Sequence, residues 1–309
     1  MNLKSKISDI KPKVVGFNLP HLSAENRLQR ILTAALPKTS KYTNHENINY
    51  WNADFFNLNQ VEIFQESDIN EQSKILEIAN LSLLSESYFI EKAGVGYMAK
   101  MVLLAETVEE RMLYGMFTAD ETTHLQQIIN FLPNTELTNT DDPFLNLLSE
   151  VVESDDKTVL LFVLQVVLEG WGLTHYRRLA KHCQNPIFSE ILQNFLQAES
   201  RHHATGTTLF QEMSISASSE KIIIEILAQF LLMIQIGPQG ILTAIEQVKG
   251  ELTKVQKIQI LEELDTENHS GTRLKILHSL MNIPSANNIL QTLVEKGYFQ
   301  PLSPSQCIL

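Results

Sequence analysis

The sequence predicts an all-α fold, a four-helix bundle with additional N- and C-terminal helices. Two observations carry this. From Ser67 onward the pattern is helical, with few breakers over most of the remaining length. Turn-like punctuation then cuts it into helices of roughly 15 to 30 residues, which are bundle lengths. The breaks fall near Pro133-Asn134, Asp141-Asp142-Pro143, Ser154-Asp155-Asp156, Gln184-Asn185-Pro186, Ser214 to Ser219, Gly237-Pro238 and Pro284-Ser285.

Taken in order, residues 1–66 form an N-terminal extension that mixes Pro, Asn and aromatic residues without steady periodicity. Val14-Val15-Gly16-Phe17 is its candidate strand. Residues 67–213 hold the four core helices. Thr107-Val108-Glu109-Glu110 reads as a capping box, the Thr hydroxyl serving a free backbone N–H and the Glu three residues on reaching back. Asn185-Pro186 offers an N-cap followed by Pro at the first helical position, where its missing N–H costs nothing. The helix from Val159 to Trp171 is apolar nearly all round and is expected at the centre. Residues 214–309 supply C-terminal helices packed on this core, within one compact domain.

Composition narrows the function. There are 24 basic against 36 acidic residues, a net charge of −12, and no Lys/Arg cluster to neutralise phosphates, which argues against a nucleic-acid partner. Cys183 and Cys307 are too few and too far apart to staple a secreted scaffold. Lys11-Pro12-Lys13 follows the first residues where a signal peptide needs an apolar run. The stretch Ile222–Ile236 is broken by Glu225, Gln229 and Gln235 and reads as a buried helix, not a membrane span. Cys307 stands one residue short of a prenylation box. A cytoplasmic protein without a membrane span is the expectation.

The chemistry lies in a repeated constellation. Glu121-Thr122-Thr123-His124 and Glu199-Ser200-Arg201-His202 both read Glu-x-x-His, which stacks a carboxylate and an imidazole on one helix face. One such spacing is weak evidence. Each motif, however, has a Glu 30 positions upstream, Glu91 before Glu121 and Glu169 before Glu199. The caps Thr107 and Asn185 each precede the motif Glu by 14 positions. Setting residues 91–124 against 169–202, an offset of 78, also matches Gly94 with Gly172, Lys100 with Arg178 and Phe117 with Phe195. In an antiparallel hairpin, a Glu about 14 residues before the turn meets one about 14 residues after it, both about 20 Å from the turn. Four carboxylates and two imidazoles then converge. Glu169 adds its own argument, because a carboxylate on so apolar a helix needs a metal, an ion pair with Arg177 or Arg178, or a proton.

Glu91, Glu121/His124, Glu169 and Glu199/His202 together resemble the ligand pattern of the ferritin-like carboxylate-bridged dimetal superfamily, over about residues 70–212. The resemblance implies that Glu121 and Glu199 bridge two metals, that Glu91 and Glu169 are more terminal, and that His124 and His202 bind one metal each. Phe195 stands where the N-oxygenases of that superfamily place a seventh ligand, and no Cys pair of a rubrerythrin-type module is present. Asn49-Tyr50-Trp51-Asn52 through Glu71 loosely resembles the segment before the first metal helix of ribonucleotide reductase small subunits, an alignment that selects Glu86 instead of Glu91. The two are five positions apart, about 140° around a helix, and the caps favour Glu91.

Around the six ligands, Asp120 is placed to orient a ligand His, Arg201 to pair with Asp120, and Gln165 to line the cavity or satisfy a buried amide. Tyr88, Tyr97, Trp171 and Tyr176 are expected as core aromatics within reach of the centre. His175, His182 and His203 sit at offsets that point elsewhere, and His269 after Asp265 has metal-compatible spacing that nothing repeats. Carboxylate oxygens with one imidazole per metal suit two Fe ions, or Mn in their place, and such a pair can reduce O2 as co-substrate. The expectation is a non-haem di-iron oxidase or oxygenase acting on a small organic or acyl-chain metabolite by hydroxylation, N-oxygenation, desaturation or C–C cleavage. Its assembly would be a monomer or homodimer, with an acidic surface open to a reductase or carrier protein. The alternative is a ferroxidase or iron-storage protein, which would assemble into a shell.

Overall fold

The computed structural model describes residues 13–23, 25–37, 49–133 and 142–308. Among these the architecture is all-α, without a strand. The helices longer than two turns are α1 (Arg27–Ala35), α2 (Ile69–Leu104), α3 (Val108–Ile129), α4 (Pro143–Glu153), α5 (Lys157–His182), α6 (Pro186–Gln211), α7 (Ala217–Gln235), α8 (Gln239–Lys249), α9 (Lys254–Glu263), α10 (Thr266–Met281) and α11 (Asn287–Glu295).

Side-chain caps start the helices that matter. The Asp68 carboxylate accepts from Asn70 and Glu71 N–H while Glu71 reaches back to Asp68 N–H, a full capping box at α2. Asp142 accepts from Phe144 and Leu145 N–H ahead of Pro143, and Asp156 from Thr158 and Val159 N–H. Asn185 accepts from Ile187 and Phe188 N–H with Pro186 at the first helical position. The box expected at Thr107 forms only in half. Its hydroxyl accepts from Glu110 N–H at 3.1 Å, but the Glu110 carboxylate passes Thr107, accepts from Glu106 N–H at 2.8 Å and pairs with Lys157 at 2.8 Å. The cation on α5 redirects it.

Helices α2 and α3 pack along one another as a hairpin, α5 and α6 as a second, and α3 meets α6 across them. Helix α4 lies on α2 and on α7, while α10 and α11 pack on α7 and α8 on α2. The main core runs from Val15 to Leu293 through both hairpins and the C-terminal helices. A second cluster joins Leu58, Val61 and Phe64 to Ile75 on α2, to α8 and α9, and to Cys307. Residues 160–168 of α5 are wound as a π-helix and are buried except at Leu168. Such a segment rotates the following residues relative to a regular helix, and Glu169 is the residue that follows.

The segment Asn49–Asn52 is pinned to α2 and α5 by Trp51, which is fully buried. Its backbone N–H donates to Asn80 Oδ1 at 2.9 Å, Asn80 Nδ2 donates back to its carbonyl at 2.9 Å, and its indole donates to Leu179 O at 3.0 Å. Val14–Phe17 is a turn and not the candidate strand, with Gly16 at φ +67°. It lies against α2 so closely that a Cβ at Gly96 would stand 1.9 Å from Val14 O.

Helix α5 is long and apolar enough to cross a membrane, but 61% of its apolar stretch is buried inside the protein, as in a core helix. The stretch Ile222–Ile236 lies in α7, which meets the same measure only together with α8, across a 50° bend.

Candidate metal centre

The two hairpins bring all six residues singled out by spacing to one buried place. Glu91, Glu121, His124 and Glu199 form one donor group, and Glu169, Glu199 and His202 a second. Within each, the donor atoms lie within 4.8 Å of one another. Glu199 belongs to both. Its Oε1 lies 3.2 Å from His124 Nδ1 and its Oε2 3.5 Å from His202 Nδ1. Glu121 divides itself likewise, with Oε1 3.2 Å from His202 Nδ1 and Oε2 4.0 Å from His124 Nδ1. Glu91 Oε2 is 3.3 Å from His124 Nδ1. Of the two alternatives on α2, Glu91 enters the cluster and Glu86 does not.

The repeat read in the sequence is a crosswise packing in space. Phe117 and Phe195 each precede a motif His by seven positions, yet each packs on the imidazole of the other hairpin. Phe195 stacks on His124 at 4.0 Å between ring centroids, and Phe117 lies against His202 at 4.3 Å. Lys100 and Arg178 both donate to backbone carbonyls, Lys100 to Val152 and Ser154, Arg178 to Phe55. The glycine pair is less symmetric. A Cβ on Gly94 would stand 2.4 Å from Glu121 Oε2, whereas one on Gly172 would meet nothing. Gly94→Ala is therefore expected to push Glu121 out of place and weaken metal affinity about tenfold to a hundredfold, the range seen when support of a ligand is lost. Equilibrium metal titration checks this, with circular dichroism showing unchanged helix content.

Neighbouring side chains orient the donors. His202 Nε2 lies 3.4 Å from Asp120 Oδ2, and Arg201 Nη2 donates to the same oxygen at 3.2 Å. Gln165 receives the Tyr114 hydroxyl at 2.6 Å and donates to His202 O at 3.2 Å. The Tyr176 hydroxyl donates to Glu91 Oε1, a contact that sequence spacing does not reveal. Tyr97, Trp171 and Tyr176 line a cavity beside the centre, while Tyr88 pairs with His21 and Lys92 away from it. His203 Nδ1 bonds to Gln165 O, and His182 lies against Phe55. His269 bonds to Asn57 and Asp265 to Asn268, so neither joins the cluster. No arginine among the described residues forms an ion pair with Glu169.

The electrostatics are those of a site that carries protons when metal-free. Burial pushes Glu121 up to about 8, with the Glu199 and Glu91 charges adding. Burial raises Glu169 well above the carboxylate range; His202 opposes this, while Glu199, Glu121 and Glu91 add to it. Burial alone would lower both histidines, but Glu199 and Glu91 around His124, and Asp120, Glu121 and Glu199 around His202, hold each well above the usual imidazole value. Glu199, despite its burial, is drawn down to about 2 by the two histidines.

The residues fit a pair of metal ions. Glu91 Oε2, Glu169 Oε2, His124 Nδ1 and His202 Nδ1 are all buried without an aligned hydrogen-bond partner. Buried polar atoms are otherwise paired, and these four converge with the oxygens of Glu121 and Glu199. Oxygen-rich donor sets with one imidazole each suit iron or manganese. The adjoining cavity, about 120 Å³, is walled largely by apolar side chains from α2, α4 and α5 and opens on Glu91, Glu121, Glu169 and Glu199. No family model, no curated protein and no solved structure matches the chain.

Proposed function

We propose that this chain is an O2-dependent oxidase or oxygenase of the ferritin-like type, with two iron ions, or manganese in their place, held by Glu91, Glu121, His124, Glu169, Glu199 and His202. One observation carries it: two buried donor groups share Glu199 beside an apolar-walled cavity. Bound there, the metals would supply the reduction of dioxygen coupled to oxidation of a small organic or acyl substrate.

The protein's own part is to position and to exclude water. With His202 neutral, as a bound metal would require, Asp120 would accept its Nε2 proton and leave the Nδ1 lone pair on the side of Glu121 and Glu199. The Tyr176 hydroxyl holds Glu91 by donating to Oε1 and leaves Oε2 directed at His124. Phe117 and Phe195 cover the two imidazole faces and fix their rotation. Ile90, Leu164, Leu168 and Trp171 give the cavity a wall that keeps bulk water from the reacting end.

Protein loaded anaerobically with Fe(II) and then given O2 is expected to consume it in proportion to bound iron, and Glu199→Ala to consume none above free iron. Metal-loaded protein that takes up no O2 would overturn the proposal. A large shell in gel filtration that accumulates many irons per chain would transfer the site to storage.

A further inference from the structure

The cavity beside the centre repeats the two-fold pattern of the hairpins. Of its lining residues, Ile90 matches Leu168 and Tyr97 matches His175 at the same offset of 78 that relates the donors. Tyr97 and His175 each follow the outer Glu of a hairpin by six positions, and each brings a buried polar atom without a hydrogen-bond partner, Tyr97 Oη and His175 Nε2. Neither residue belongs to a metal donor group. They stand at opposite ends. Helix α3 turns back along α2, so Tyr97 lies level with the segment around Tyr114, whose hydroxyl donates to Gln165 on α5. Gln165 precedes Glu169, and His175 follows it. Ten positions of helix separate the two levels, about 15 Å at 1.5 Å per residue, and side chains on both helices lean back toward the donors between them.

Buried polar atoms are otherwise paired, and a pair of metal ions accounts for the orphaned donors of the centre but not for these two. Neither group is charged. Burial raises the Tyr97 phenol well above its ordinary value, so it keeps its proton. Burial, with Arg178 and Arg273 adding, holds His175 down at about 4, so its imidazole is neutral. No Lys or Arg is among the described residues that line the cavity, so a carboxylate or phosphate finds no counter-charge there. Glu86, the one lining carboxylate outside the donor groups, is only partly buried and is pushed up to about 7 by burial, so it presents no fixed anion to an ammonium. We propose that the cavity binds an uncharged chain with a hydrogen-bonding oxygen at each end, one on Tyr97 Oη and the other on His175 Nε2, and an apolar middle presented to the metal donors. An apolar cavity of about 150 Å³ takes up benzene, so one of about 120 Å³ suits a chain of about six carbons. The inference rests on the proposed oxidase for what happens to the ligand, not for its binding.

The test is calorimetric titration of the full chain, metal-free and metal-loaded, with α,ω-alkanediols from 1,4-butanediol to 1,10-decanediol. Each is paired with the 1-alkanol, the dicarboxylate and the diamine of the same carbon number. At least one diol is expected to bind about tenfold or more tightly than its counterparts, because the alcohol leaves one orphaned atom unpaired and the other two bury charge. Tyr97→Phe and His175→Leu should each remove the diol's advantage, so that diol and alcohol bind alike. The inference is overturned if no diol binds wild type, if the alcohol or a charged counterpart binds as tightly, or if a variant that stays helical keeps the advantage. The first two comparisons use wild type alone and do not depend on the variants folding. Metal content of the same samples separates the two claims: metal-loaded protein that binds no diol sinks only this inference, and a diol bound by protein that takes up no metal sinks only the oxidase.

Discussion

Glu199→Ala should empty both metal positions, taking bound metal from about two ions per chain to near none. Glu91→Ala and His202→Ala should each leave about one. The asymmetry follows from geometry. Glu199 sends one oxygen to within 3.2 Å of His124 Nδ1 and the other to within 3.5 Å of His202 Nδ1, and it belongs to both donor groups. Glu91 belongs only to the His124 group and His202 only to the other. Truncating Glu199 also leaves two imidazoles without the carboxylate that both face, so some stability is lost with the metal. Elemental analysis after anaerobic Fe(II) loading reads the effect, and circular dichroism confirms that each variant is helical. Equal losses in the three variants would mean that Glu199 is not shared.

Loading the centre with a divalent metal at pH 7 should release several protons per chain. In the metal-free protein Glu121 is pushed up to about 8 and the surrounding carboxylates hold His124 and His202 well above the usual imidazole value, so these groups hold protons at neutral pH, and burial raises Glu169 as well. Glu199, drawn down to about 2, holds none. A metal needs the free carboxylate and the neutral imidazole, so it displaces those protons. The charge balances as well, two divalent ions being matched by the four carboxylates. The sign follows: all four groups have raised values, so apparent affinity falls as pH drops below 7 and climbs through pH 8 as Glu121 loses its proton unaided. Calorimetric titration in two buffers of different ionisation enthalpy counts the protons. Release of one or none would show that these residues are not the ligands.

Much of the centre was legible because helical spacing is rigid. Two Glu-x-x-His motifs with partner glutamates and caps at equal distances can close into hairpins in only one register, and that register places all six residues together. The same arithmetic favoured Glu91 over Glu86, and Phe117 and Phe195 kept equivalent roles as covers for the two imidazoles. What escaped depends on contacts between helices. The reach of Tyr176 to Glu91, and the turning of His175 into the cavity, follow from the rotation of α5, which its π-helical segment resets just before Glu169. Lys157 diverts the Glu110 carboxylate from its own cap, a competition between elements 47 positions apart that no local motif records. Val14–Phe17 carries the β-branched residues of a strand, but with no sheet among the described residues to join it turns at Gly16 onto α2.

The proposed pair of metal ions between the two hairpins is tested by crystals of the Fe(II)-loaded protein measured on either side of the iron absorption edge. Two anomalous peaks a few ångströms apart are expected, one beside His124 and Glu91, the other beside His202 and Glu169, with Glu199 between them. No peak at the cluster, or a single ion held away from Glu199, would contradict it.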